Sequence, residues 1–134
     1  MEDRYLFKAK RTDNREWVIG NLIQSLTRSW ISSEQEDKAR LRSISNTQAQ
    51  WRAVEVDLST LCQCTGLKDK NGKLIWENDI AKDEKGNFYK AIWQNNYYQF
   101  SWACVKSDVF LIGAKWDLWS FKSYEIEVIG NIFD

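Results

Sequence analysis

Apolar and polar positions alternate along most of this chain, in short stretches broken by turn residues. That period of two predicts β-strands, each half-buried. Residues 4–10 read as a first strand, and Asp13-Asn14 as a turn. Glu16 to Ile23 forms a second strand, with Trp17, Ile19 and Asn21 on one face and Val18, Gly20 and Leu22 on the other. Arg28 to Ser32 is a third. From Ser33 to Gln50 the pattern lapses: the stretch is Ser-, Glu-, Gln-, Lys- and Arg-rich, with only Leu41 and Ile44 as large apolar groups. It can bury little and is expected to be a mobile polar loop, 33–50. Trp51 to Val56 returns to strand, and Asp57 is placed to cap a short helical turn over Leu58 to Gln63.

Asn71-Gly72 predicts a tight type I′ hairpin, since both residues tolerate positive φ. Asn95-Asn96 lies between two aromatic runs. As a two-residue loop it would set Trp93 opposite Tyr98, Ala91 opposite Phe100 and Tyr89 opposite Trp102. One face then gathers the aromatic rings, the other Phe88, Lys90, Ile92, Gln99, Ser101 and Ala103. A slip of one residue would scramble the two sets. Val109 to Ile112 reads as a short strand closed by Gly113, and Lys115 to Ser123 as a helical turn or an irregular packed loop. Glu125 to Phe133 is the last strand, apolar on both faces and therefore central or closing. No internal repeat is evident. Many short strands with little helical period predict a mainly β barrel or roll.

Composition narrows the function. Nineteen basic residues balance nineteen acidic ones, so no global field draws in nucleic acid or an anionic membrane. The chain has no histidine, which removes the commonest general base and the commonest transition-metal ligand. Its three cysteines, without a secretion signal, fit reduced thiols in a cytoplasmic protein. No apolar run approaches the ~20 residues of a membrane helix. Aromatic residues are plentiful, with eight Trp, five Tyr and six Phe.

The run Thr65-Gly66-Leu67-Lys68-Asp69-Lys70-Asn71-Gly72-Lys73-Leu74-Ile75-Trp76-Glu77-Asn78-Asp79-Ile80 resembles the YopX family of phage and prophage proteins. Two further segments match in the family's order: Lys8 to Arg11 with Glu16 to Ile23, and Glu127-Val128-Ile129-Gly130-Asn131-Ile132. Asn78 stands where the family usually has glycine, Leu58 where proline is frequent, and Trp76 where tyrosine is common. The resemblance implies an SH3-like small barrel over 61–134, preceded by a small antiparallel β lobe over 1–60 with little helix, the two forming one unit. It also implies a viral or prophage source. The family has no established biochemical activity, so it supplies no catalytic residues.

The candidate chemistry is sparse. Cys62-x-Cys64 with Cys104 falls one ligand short of a four-ligand zinc site and reads as buried thiols. Asp69, Glu77, Asp79 and Asp83 cluster in sequence but alternate with lysines around a hairpin. They read as turn acceptors rather than an acid–base pair. Thr65-Gly66 and Asn71-Gly72 lack the pattern of a phosphate loop. Arg40-Leu41-Arg42 and Lys8, Lys10 and Arg11 read as solvated charge. The aromatic hairpin face, Tyr89, Trp93, Tyr98, Phe100 and Trp102 with Lys90 and Lys106, is expected either to be core or to form an interaction surface. No catalytic, cofactor or metal site is expected. The expected role is a non-enzymatic interaction protein that acts on a host or phage protein or self-associates. The alternative is a small-barrel nucleic-acid binder.

Overall fold

The computed structural model describes residues 5–32 and 53–134. The expected polar loop 33–50, including Arg40-Leu41-Arg42, and the first two residues of the strand expected at 51–56 lie outside them. The protein is mainly β, with antiparallel sheets and only short 3-10 turns as helix among the described residues. The chain divides into two compact units, Tyr5–Gln63 and Cys64–Asp134.

In the first unit, β1 (Phe7–Arg11), β2 (Trp17–Gln24), β3 (Ser29–Ser32) and the opening part of β4 (Val54–Lys68) pair in sequence. β4 also pairs back on β1, which closes the four strands into a ring. The core is Ala9, Val18, Ile31 and Val56, flanked by Phe7, Leu22 and Leu61. Val18 and Gly20 point inward while Ile19 and Asn21 are exposed, as the alternation predicts. Gly20 is required by close approach: a Cβ there would lie 1.9 Å from the Ser32 carbonyl oxygen.

The helical turn expected at Leu58 to Gln63 is instead part of β4. Lys8 lies opposite Cys62 and Lys10 opposite Asp57, so two steps along β1 match five along β4. The extra residues form a bulge. Asp57 does gather local bonds, accepting from the Ser59 amide at 3.0 Å and the Ser59 hydroxyl at 2.7 Å. Thr60 then donates to the Asp57 carbonyl and accepts the Lys10 amide at 2.8 Å, standing in for a backbone acceptor in the ladder. Pairing with β1 on both sides of the bulge outweighs the local turn signal.

In the second unit, the sheet order is β10 (Ile126–Asn131), β6 (Asp79–Asp83), β7 (Phe88–Gln94), β8 (Gln99–Lys106), β9 (Lys115–Asp117). The end of β4 forms a hairpin with β5 (Leu74–Trp76). The core gathers Ile75, Ala81, Tyr89, Ala91, Trp102, Cys104, Leu118, Ile126 and Val128. Of the stretch Lys115 to Ser123, Lys115–Asp117 is strand β9 and Leu118–Ser120 is a helical turn of 3-10 type, with a second at Ser123–Glu125.

Two hairpin connections are the same structure. At Asp69-Lys70-Asn71-Gly72-Lys73, the Asp69 amide donates to the Lys73 carbonyl, and its Oδ1 accepts the amides of Asn71 and Lys73, both at 2.9 Å. At Asp83-Glu84-Lys85-Gly86-Asn87 the same bonds recur, with Asp83 Oδ1 accepting the amides of Lys85 at 3.0 Å and Asn87 at 2.9 Å. Gly72 and Gly86 take φ of 78° and 86°, whereas Asn71 has no positive φ. The expected type I′ turn is therefore replaced by an Asp-anchored turn closed by one left-handed glycine. The shared Asp-x-x-Gly spacing, 69/72 and 83/86, is the only mark of this recurrence in the sequence. Asn78, in the usual glycine position, has φ 70°. Asn tolerates that region better than most residues.

Candidate functional site

The β7–β8 hairpin carries the expected aromatic face, in a different register. Trp93 lies opposite Phe100, Ala91 opposite Trp102, and Tyr89 opposite Cys104. The loop holds four residues, 95–98, rather than two. The Tyr97 amide bonds the Gln94 carbonyl, and Tyr98 has φ 51°. The shift is two residues, not one, so the faces keep their members except Tyr98, which leaves the strand for the loop.

The seven candidate residues do not form one surface. Tyr89 and Trp102 are buried core side chains. Phe100 packs at the core's margin, with its ring centroid 5.0 Å from that of Trp93. Trp93 is exposed, and its indole donates to Asn95 Oδ1 at 2.7 Å. Tyr98 is 82% exposed. Lys90 is half-buried on the opposite face of β7. Lys106 is exposed, its ammonium 5.6 Å from the Phe88 ring centroid.

The stretch expected as a strand at Val109 to Ile112 is an ordered loop joining β8 to β9. Ser107 explains why it does not pair. Its Oγ accepts the amides of Val109 at 3.0 Å and Phe110 at 2.8 Å, and donates to the buried Asn87 side chain at 2.6 Å. The neck is closed by Gly113 N–H to the Cys104 carbonyl and Cys104 N–H to the Ala114 carbonyl, each 2.8 Å. Phe110 turns onto Trp116, with centroids 5.0 Å apart. Val109, Leu111 and Ile112 face outward, 79, 83 and 66% exposed. Four consecutive apolar residues between Ser107-Asp108 and Gly113 are the available signal, but without alternation they favour strand and loop alike.

Three of the four clustered carboxylates, Asp69, Asp79 and Asp83, accept backbone amides. Asp79 Oδ2 accepts the Trp76 amide at 2.7 Å, and Oδ1 accepts the Asn131 side-chain amide at 2.9 Å. The backbone carbonyl of Glu77 accepts the same Asn131 amide. Asp69 Oδ2 accepts the buried amide of Val128 at 2.9 Å. Asp83 Oδ2 accepts from Asn87 and from the Tyr89 hydroxyl, both at 2.8 Å. Burial pulls the Asp83 carboxyl upward, but the bonds from Asn87, Tyr89 and Lys85 outweigh it and hold it below the usual carboxylate value. Burial, then the bond to Asp83, pushes the Tyr89 phenol well above its ordinary value. Cys62, Cys64 and Cys104 are buried. Among the described residues no three Cys, Asp or Glu side chains form a group able to hold a metal.

Among the described residues no helix is long and apolar enough to cross a membrane. A search of curated proteins finds no match. The family model described as YopX protein matches residues 6–134, nearly the whole chain. It takes in both the ring of β1 to β4 and the sheet that carries the exposed loop. The chain belongs to the YopX family.

Proposed function

We propose that this chain is a non-enzymatic interaction protein of a phage or prophage, working in the bacterial cytoplasm and docking on a host or phage protein. Residues 61–134 are taken as the SH3-like barrel of the family. The observation that carries the reading is the loop between β8 and β9, which is tethered by hydrogen bonds at its neck yet holds Val109, Leu111 and Ile112 in solvent. Ordering such a loop before binding lowers the entropy cost of docking. Each aliphatic side chain buried at a partner is worth about 1.5–3 kcal/mol. The test compares wild type with Val109→Ser, Leu111→Ser and Ile112→Ser together, in capture from virus-carrying host lysate with and without nuclease. A protein retained by wild type after nuclease and lost by the variant supports the reading. Equal retention by both overturns it. Light scattering on the same pair reads self-association: a mass above 15.9 kDa that falls to the protomer's in the variant would make a second copy the partner.

A nucleic-acid role is the second reading. It is favoured by Lys106 beside Phe88 and by the exposed Trp93, Tyr97 and Tyr98 at the tip of the same hairpin. It requires binding that weakens steeply with salt and weakens further in the Lys90→Ala, Lys106→Ala double variant. Unchanged affinity in that variant removes this surface.

A further inference from the structure

We propose that a cavity beside β7 receives the ammonium group of a lysine side chain presented by the partner protein. The proposal rests on the interaction reading above and adds to it a specific chemistry at a neighbouring site.

The cavity has a volume of about 400 Å³, at the small end of ligand sites. Three aromatic rings, Phe110, Trp116 and Phe121, line it, and the buried Tyr89 ring packs against two of them. Trp116 packs edge-on to Tyr89, with centroids 5.5 Å apart and planes at 89°, and to Phe110 at 5.0 Å and 67°. Phe121 lies 5.0 Å from Tyr89 and 6.4 Å from Trp116. Aromatic faces attract cations through the ring quadrupole, most strongly where water is excluded.

Three carboxylates share the cavity with the rings: Asp83, Glu84 and Glu125. Among the described residues none of them is in an ion pair. The groups that donate to Asp83 are amides and the Tyr89 hydroxyl, all neutral, so it carries its negative charge without a counter-ion. Glu125 Oε2 accepts only the backbone amide of Lys122, at 3.1 Å. Lys85 is the single basic residue of the lining. Aromatic walls would hold any apolar group. Aromatic walls with three acids against one base select a cation carried on an aliphatic stem.

The source of that cation follows from Phe110. It forms one wall of the cavity and belongs to the loop whose Val109, Leu111 and Ile112 face outward. A protein seated on the loop therefore has its own surface at the cavity mouth, within reach of a lysine.

The experiment follows the indole N–H signals by heteronuclear NMR during titration. The ligands are a blocked alanine pentapeptide with a central lysine, the same peptide with norleucine, and free spermidine. The lysine peptide is expected to shift the Trp116 signal with a dissociation constant on the order of 1 mM, while norleucine leaves it in place. Glu84→Gln with Glu125→Gln keeps an acceptor for the Lys122 amide and should weaken the lysine peptide about tenfold. Equal shifts from lysine and norleucine, or lysine binding unaffected in the double variant, would overturn a cation site. Spermidine binding tenfold tighter than the peptide would overturn the partner-lysine source in favour of a free polyamine. The loop serine variant leaves the cavity acids untouched, so failure of loop docking and failure of this site are read separately.

Discussion

The backbone amide of Val128 donates to Oδ2 of Asp69 at 2.9 Å, tying the last strand to a hairpin tip 59 positions earlier. The Lys70 amide adds a second bond, to the Ile126 carbonyl at 3.0 Å. Together they cover the edge of β10 that β6 leaves open. A bare edge is a template for pairing with other chains.

Asparagine separates the two Asp-anchored turns. Asp69→Asn keeps one oxygen for the turn but sets an amide donor against the Val128 N–H. It should cost about 2–3 kcal/mol. Asp83→Asn sets that donor against the Asn87 side-chain amide and the Tyr89 hydroxyl, both only part-buried, and the hydroxyl can rotate to accept, so it should cost less, about 1–2 kcal/mol. Urea denaturation of both variants checks the order; equal losses would mean that the bond to Val128 contributes nothing.

Stability should fall at both ends of the pH scale. Asp83 and Asp57 have lowered pKa values in the fold, Asp57 through the Ser59 hydroxyl and then Arg15. Their contributions are full above the ordinary Asp value of about 3.9 and are lost as pH falls through the lower folded values. Tyr89 is raised, so its contribution fades as pH climbs past the ordinary value of about 10, where the unfolded phenol ionises first. In Tyr89→Phe the Asp83 carboxyl should titrate closer to its ordinary value, read by carbon NMR. An unmoved titration would show that the phenol does not hold it down.

Gly20→Ala should be among the most damaging single changes. Its Cβ would meet the Ser32 carbonyl oxygen at 1.9 Å and the carbonyl carbon at 2.7 Å, both backbone atoms that cannot swing aside. A loss of at least about 3 kcal/mol is expected, seen as a lower thermal midpoint. A midpoint within a degree or two of wild type, on the ordinary conversion, would mean the strands part freely there.

Tyr98→Asn should stabilise. A bulky residue pays about 1–2 kcal/mol in the left-handed region, and Tyr98 is 82% exposed, so little packing is lost. A gain of about 0.5–1 kcal/mol over wild type is expected by denaturant titration; Tyr98→Ala, still strained, should gain none.

Local alternation carried the faces of β2 and of the β7–β8 hairpin, because a side chain's side of a sheet depends only on counting by two. It could not fix the hairpin's loop length, since a two-residue slip leaves that count unchanged; the observed register pairs Gln94 with Gln99 around a four-residue loop and leaves Tyr98 at positive φ. At Val109 to Ile112 the deciding group was a hydroxyl, Ser107, outside the apolar run. The bulge at Asp57 depended on β1, nearly fifty positions away, through the Lys10–Thr60 bond. The aromatic cavity draws its lining from β6, β7, β9 and three connections, and nothing in the spacing of those residues announces that they meet.

The ring of β1 to β4 has four strand interfaces where an open sheet of four would have three. Its connectivity is therefore redundant. Rupture of any one ladder turns the ring into a continuous ribbon and detaches no strand; only a second break separates pieces. A damaged or fluctuating ring thus has an intermediate in which every strand still holds a neighbour, and from which closure needs only two edges to meet again.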